Sequence, residues 1–247
     1  HKVAVVTGGN GGIGLGMAGG LGRAGAAVAI AGRDRAKSVA AVEALTADGI
    51  TAHAVEVDVA DADSCSAMVA EIEDVLGRLD ICVCNAGINV RKPPETYTVE
   101  EWRQVQAINL DGVFFTAQAA HPALLRQGGG KVITVGSMLS IFGIGLASAY
   151  GASKGGVTQL TKGLAAAWAE DGIQVNCILP GWIDTDLTRQ GRIDMPGLND
   201  KVLSRTPAGR WGTPEDLAGL AVFLASAASD FVTGTAIPVD GGYAAQG

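Results

Sequence analysis

A single doubly wound α/β domain with an open, seven-stranded parallel sheet and helices on both faces is the fold class predicted for these 247 residues. Three observations predict it. Apolar runs of strand length alternate with longer stretches of helical periodicity from end to end. Several of those runs are apolar at every position, as strands covered on both faces must be. No linker, charge block or repeat breaks the alternation, so one domain is expected over residues 1–247.

The elements follow in order. KVAVVTG (2–8) is an apolar strand stopped by Gly8, and IGLGMAGGLGRAG (13–25) is the helix after it, with Gly25 as its stop signal. AAVAIAGR (26–33) is a second strand. DRAKSVAAVEALTADG (34–49) is an amphipathic helix, with Val39, Val42, Ala44 and Leu45 expected on its inner face. TAHAVEVDV (51–59) is a third strand, and residues 62–80 form a helix expected to bury Met68, Ile72 and Val75. LDICVCNAG (79–87) is the fourth strand. A long helix is expected around 99–125, then strand KVITVGS (131–137), then another long helix over about 149–170. IQVNCILPG (173–181) is the sixth strand, PEDLAGLAVFLAS (214–226) a helix, and TAIPVDGG (235–242) the last strand. Pro238 cannot donate to a ladder, so this strand belongs at an edge. Residues 184–210 read as a long irregular segment, which in a compact domain is expected to be a substrate loop or lid.

Composition excludes several functions. With 48% hydrophobic and 17% charged residues the chain is globular, not disordered. A formal net charge of −7 argues against a phosphate-backbone footprint, so no nucleic-acid partner is expected. Apolar runs end well short of the ~18 residues of a membrane span, so no membrane partner is expected either. The opening HKVAVVTGG reads as a strand and not as a signal peptide. Cys65, Cys82, Cys84 and Cys177 with His1, His53 and His121 do not make two ligand pairs at zinc spacing, so no metal is expected. The cysteines read as small buried hydrophobes, consistent with a reduced, cytoplasmic protein.

The first strand runs directly into TGGNGGIG (7–14). Gly8, Gly12 and Gly14 at a strand-to-helix turn let the backbone approach a pyrophosphate, and the helix N-terminus offers free N–H groups. A P-loop would place Lys and then Ser or Thr after its last Gly, whereas Leu15 and Gly16 stand here. Dinucleotide binding on a Rossmann-type sheet is the better reading. Ser137 ends the fifth strand, while Tyr150 and Lys154 in YGASK lie one turn apart on one face of the next helix. Ligands of such sheets sit at the carboxyl ends of the strands. A hydroxyl, a phenol and an ammonium therefore converge where a nicotinamide would lie. The ammonium is expected to lower the phenol's pKa from its ordinary ~10 and fit it for acid/base work.

With these motifs the sequence resembles the short-chain dehydrogenase/reductase family, in its classical branch, over essentially the whole chain. The resemblance rests on TGGNGGIG, Asp58 in VDV, CNAG (84–87), Asn109 in INL, Ser137 in VGS, YGASK (150–154) and PGWIDT (180–185), in that order. It implies an NAD(P)-dependent oxidoreductase acting on CH–OH groups and their ketones. Tyr150 is then the acid/base; Lys154 tunes it and holds the nicotinamide ribose. Ser137 holds the substrate oxygen, and Asn109 supports a water-linked proton path. The implied cofactor contacts are Gly8, Asn10, Gly11, Gly12, Ile13 and Gly14 in the turn, Arg33 and Asp34 after the second strand, and Asp58 and Val59 after the third. To these it adds Asn85, Ala86 and Gly87, then Tyr150 and Lys154, and finally Pro180, Gly181, Ile183 and Thr185. Cys84 stands where the family commonly has Asn, so that Asn's structural hydrogen bonds are expected to be rearranged. Gly32 occupies the acidic position that reads an NAD ribose and Arg33 follows it, which favours NADP(H), with NAD(H) as the alternative.

The substrate-facing segments are expected to be 88–95, 137–145 and 182–210. Met138, Leu139, Ile141 and Phe142 make the second apolar. Arg91, Lys92, Arg189 and Arg192 are candidates to hold a carboxylate. The motifs around 88–95, 137–140 and 206–217 are similar to sugar-acid dehydrogenases of the family, and a hydrophobic cyclic or aryl ketone is the alternative substrate. A dinucleotide-sensing regulator would not need Ser137, Tyr150 and Lys154 together, and an S-adenosylmethionine methyltransferase would not need YGASK. Small residues on the long helices (Ala117, Ala119, Ala120, Ala165, Ala166, Ala167) let another helix approach closely, and the resemblance implies a homotetramer or homodimer.

Overall fold

In the computed structural model, which describes residues 1–246, the seven expected strands form one parallel sheet. They are β1 (Val3–Thr7), β2 (Ala27–Gly32), β3 (Ala52–Glu56), β4 (Ile81–Cys84), β5 (Gly130–Val135), β6 (Ile173–Pro180) and β7 (Ala236–Val239), in the order β3-β2-β1-β4-β5-β6-β7. The order reverses between β1 and β4, which opens a crevice beyond the carboxyl ends of these strands. β1 is buried at all five positions, and its register sets Thr7 beside Ala31 at the rim of that crevice. β7 pairs only with β6, and Pro238 lies on this edge opposite Leu179, where its missing N–H leaves no gap in the ladder.

Helices α1 (Gly12–Arg23), α2 (Arg35–Ala47) and α3 (Ala62–Leu76) follow the first three strands. α1 packs so closely that a Cβ on Gly16 would lie 2.4 Å from the carbonyl oxygen of Pro214. The inner stripe of α2 is Ser38, Ala41 and Leu45 with Val42 packed beside it, while Val39 and Ala44, expected on that face, point outward. α3 buries Cys65, Met68, Val69 and Ile72 and leaves Val75 half exposed.

The helix expected at 99–125 is three pieces: α4 (Val99–Gln106), a π-helical stretch (Ala107–Asp111) and α5 (Gly112–Arg126). The π stretch inserts a residue and turns Ile108 and Asn109 inward together. α6 (Ser148–Trp168) matches its expected span. Residues 184–210 are not irregular: they hold α7 (Asp186–Asp194) and α8 (Leu198–Arg205), each with only one or two buried residues. α9 (Ala218–Ala225) returns to the sheet. The small residues of the long helices divide: Ala117, Ala120 and Ala165 are buried in the chain's own core, whereas Ala166 and Ala167 face outward. All four cysteines are free and buried, with the Cys82 and Cys84 sulfurs 3.8 Å apart on one side of β4. Among the described residues no helix is long and apolar enough to cross a membrane.

Candidate active site

The glycine turn is built on backbone conformations that side chains resist. Gly8 and Gly12 have φ of 63° and 50°. A Cβ on Gly14 would lie 2.3 Å from the Gly8 carbonyl oxygen and 2.5 Å from Asn85 Nδ2. The Asn85 side-chain amide donates to the carbonyls of Thr7 (3.0 Å) and Gly8 (3.1 Å), and Thr7 Oγ1 accepts from the Asn85 and Ala86 N–H groups. One asparagine thus ties β1 to the segment after β4. Cys84 takes no part; its thiol faces Cys82 in the core, and that contact with burial pushes its pKa well up. No side chain caps α1, so the N–H groups of its first turn point into open space.

That space is a cleft in two adjoining parts of about 1080 and 1150 Å³. Gly8, Asn10, Gly11, Gly12, Ile13, Gly14, Asn85, Ala86 and Gly87 line the first, facing Pro180, Gly181, Ile183 and Thr185, with Ser137, Tyr150 and Lys154 at its far end. Arg33, Asp34, Asp58 and Val59 line the second. Every residue expected at the cofactor borders this one cleft. The missing Cβ atoms at Gly8, Gly12 and Gly14 let the turn pack against Asn85, Ala86 and Thr185 with its backbone on the wall of the cleft, and exposed Arg33 offers the other part a cation. Asp34 is occupied as the N-cap of α2, accepting from the Lys37 N–H at 3.0 Å. Lys37 borders both parts and was missed; its position four residues after Arg33, in the first turn of α2, is the signal that marks it.

At the nicotinamide end, local hydrogen bonds lock the side chains in place. Ser140 Oγ accepts from the Ser137 N–H (3.2 Å) and donates to the Lys154 carbonyl (2.7 Å), pinning the turn that carries Ser137 onto α6. Lys154 is buried and donates from Nζ to the Val135 carbonyl at 2.7 Å. Burial lowers its pKa to about 8. Tyr150 has a half-exposed rim but is ringed by protein, and burial raises its pKa above the ordinary 10, with a Ser137 hydrogen bond and the Arg91 charge pulling it back. This corrects the expectation that Lys154 lowers it. The ammonium lies 5.6 Å from the centre of the phenol ring and is committed to Val135. Asn109 borders neither part of the cleft. It sits behind Gly87, its amide bonded to both the N–H (2.8 Å) and carbonyl (2.9 Å) of Ile88 and to Ser153 Oγ (3.1 Å).

A second cavity adjoins Ser137 and Tyr150. Met138 and Leu139 line it, but Ile141 is exposed and Phe142 packs on Tyr243 and Arg205 instead. Of the four cations considered for a carboxylate, only Arg91 reaches this cavity. Lys92 is held 2.7 Å from Glu101, Arg189 is exposed on Asp184 and Asp186, and Arg192 bonds Asp184 while stacking 4.1 Å over Trp211. Arg91 donates to the Leu187 carbonyl at 3.0 Å and lies 3.6 Å from Asp194, both on α7. Asn89 and Trp182, from the substrate-facing segments expected at 88–95 and 182–210, also line the cavity, as does Tyr243, which no motif marked. Among the described residues no cluster of His, Cys, Asp and Glu could hold a metal ion.

A family model described as enoyl-(acyl carrier protein) reductase matches residues 8–244. The chain is 40% identical over 242 residues to 2-dehydro-3-deoxy-D-gluconate 5-dehydrogenase of Formosa agariphila, covering 98% of this chain and 92% of that one. It is 40% identical to gluconate 5-dehydrogenase of Gluconobacter oxydans, over 97% and 93% of the two chains. A gluconate 5-dehydrogenase from Burkholderia cenocepacia, solved with NADP and tartrate, superposes with a TM-score of 0.95 at 41% identity, covering 100% of this chain and 96% of that one. With a parallel Rossmann-type sheet, a glycine turn at its switch point and relatives of this similarity along its whole length, the chain belongs to the short-chain dehydrogenase/reductase family of oxidoreductases.

Proposed function

We propose that this protein uses NADP(H) to interconvert a sugar acid and its keto acid, with Ser137, Tyr150 and Lys154 at the reacting end of the site and Arg91 at the carboxylate end. The observation that carries the reading is the Arg91 guanidinium, nine-tenths buried in the wall of the cavity that holds Tyr150. Asp194 meets this guanidinium only at 3.6 Å, and a substrate carboxylate in the mostly apolar cavity would match its fork. The dehydrogenases of sugar acids among the relatives support the same substrate class.

When bound, NADPH supplies the hydride to the carbonyl carbon. The backbone of the glycine turn would face the pyrophosphate, and Arg33 with Lys37 would hold the 2′-phosphate. Lys154 would hold the nicotinamide ribose hydroxyls. Ser137 donates to the substrate carbonyl oxygen and fixes it beside the Tyr150 hydroxyl. Tyr150, protonated at neutral pH because burial raises its pKa, passes its proton to that oxygen as the alcohol forms. Asn109 positions Ile88, and with it the Gly87 backbone in front of Lys154.

Arg91→Met tests the reading. We expect kcat/KM for 5-keto-D-gluconate to fall about 10²-fold, with NADPH affinity unchanged and neutral cyclic ketones unaffected or improved. Equal loss on acids and neutral ketones would overturn the carboxylate role, and a preference of the wild type for cyclic or aryl ketones would replace it with the apolar reading. A kcat/KM for NADPH at least about 10-fold above that for NADH is expected of Arg33 and Lys37. The assembly we propose is a homotetramer through α4, α5 and α6. Val99, Trp102 and Leu125 are exposed there, and Gly155 and Gly163 leave α6 open to close approach. Light scattering showing a monomer would refute it.

A further inference from the structure

Among the described residues, two buried side-chain polar atoms have no hydrogen-bond partner, Asn89 Oδ1 and Arg192 Nε. The second belongs to a guanidinium already bonded to Asp184 and stacked on Trp211. The first is different, because Asn89 lines the cavity that holds Ser137, Tyr150 and Arg91. The segment presents alternate residues to the cavity. Asn89 and Arg91 face it, while the carbonyl of Val90 between them accepts from the Tyr97 hydroxyl on the outer side.

An orphaned buried polar atom costs about 1–3 kcal/mol, and native proteins carry few of them. Met138, Leu139, Ile144 and Leu146 line the same cavity without a side-chain donor, and the donors that do line it, Ser137, Tyr150 and Arg91 among them, leave Asn89 Oδ1 unpartnered. A bound ligand that expels water from this wall must therefore supply the partner or leave the orphan behind.

We propose that Asn89 is a specificity-determining residue whose amide bonds a hydroxyl on the substrate's carbon chain, so that the site selects polyhydroxy acids over plain keto acids. The assignment rests on the sugar-acid reading above and narrows it. Arg91 on this reading recognises the carboxylate, Tyr150 and Ser137 recognise the carbonyl, and Asn89 recognises a hydroxyl of the chain joining them. A site built to bond a hydroxyl rejects the analogue that lacks it far more strongly than an apolar pocket rejects a small change in size.

The test pairs 5-keto-D-gluconate with 5-oxohexanoate, which keeps the carboxylate, the ketone and their spacing but has no hydroxyls. Wild-type kcat/KM should favour 5-keto-D-gluconate by about 10²-fold or more. Asn89→Leu, of similar volume, should lower kcat/KM for 5-keto-D-gluconate by at least about 10-fold and leave 5-oxohexanoate within about twofold or raise it. Asn89→Ala, which adds no bulk, should show the same substrate-dependent loss, with NADPH affinity of both variants unchanged as the check on folding. Equal losses on both substrates, or no loss on either, would overturn the role of Asn89 and leave the sugar-acid reading intact. A wild-type enzyme that turns over neither compound would overturn both.

Discussion

Tyr150→Phe is expected to lower kcat for ketone reduction by about 10³-fold or more while NADPH still binds with its wild-type affinity. The substitution removes one oxygen and leaves the ring, so packing in the cleft is kept. The phenol contributes the proton that converts an alkoxide into an alcohol. Ser137 can bond the oxygen but, with its own Oγ accepting from the Leu139 N–H at 3.1 Å, has no acid of matching strength behind it. Single-turnover absorbance at the nicotinamide band, with cofactor affinity from fluorescence, separates the two quantities. Retention of more than about a tenth of kcat would remove Tyr150 from the chemistry.

Lys154→Met should abolish activity and at the same time make the fold more stable at neutral pH. The ammonium is buried, and a pKa lowered from 10.5 to about 8 corresponds to about 3 kcal/mol against the folded state. Between those two values the unfolded chain holds the proton more tightly than the folded one, so stability rises with pH there. Below about pH 8 both states carry the proton and the full burial penalty stands; above 10.5 neither does and it is gone. The variant should therefore melt higher than the wild type at pH 7, with the gap closing as pH approaches 10. Its offsetting losses are the bond to the Val135 carbonyl and the contact with the Tyr150 ring. Thermal melts of both proteins at pH 7 and pH 10 check this, and a variant that melts lower at pH 7 would show that these contacts outweigh desolvation. Such an exchange of stability for function is common where a charge is kept in a buried site.

The parts of this molecule legible in its sequence are those set by short-range rules. Each strand is an apolar run with a glycine or a charge behind it, and all seven fall where the pattern puts them. The glycine turn was legible because its demand is local: no other residue fits against the Gly8 carbonyl at position 14. Packing choices were not. Val39 and Val75 have the right chemistry for the core, yet Ser38, Ala41 and Cys65 are the residues close to the sheet. The π stretch at 107–111 leaves no mark in a 3.6-residue pattern that continues on both sides. α7 and α8 were read as irregular because each buries so little that periodicity has nothing to act on. Arg91, Lys92, Arg189 and Arg192 look equivalent as letters. Only the fold shows that three of them pair with Glu101, Asp184 and Asp186 away from the cavity, and that Arg91, 3.6 Å from Asp194, lines it.

The burial of all four cysteines gives the protein a built-in gauge of its own opening. A thiol sealed in the core reacts with an alkylating reagent only when the structure around it comes apart. Cys82 and Cys84 on β4 and Cys65 on α3 share one core cluster, and Cys177 is on β6. The rate at which the native protein takes up label thus reports how often the centre of the sheet is exposed, without any engineered probe. Any ligand that binds only the folded form slows that rate in proportion to its occupancy. Labelling in the presence of NADP or of a candidate acid therefore ranks ligands even where turnover is too slow to follow.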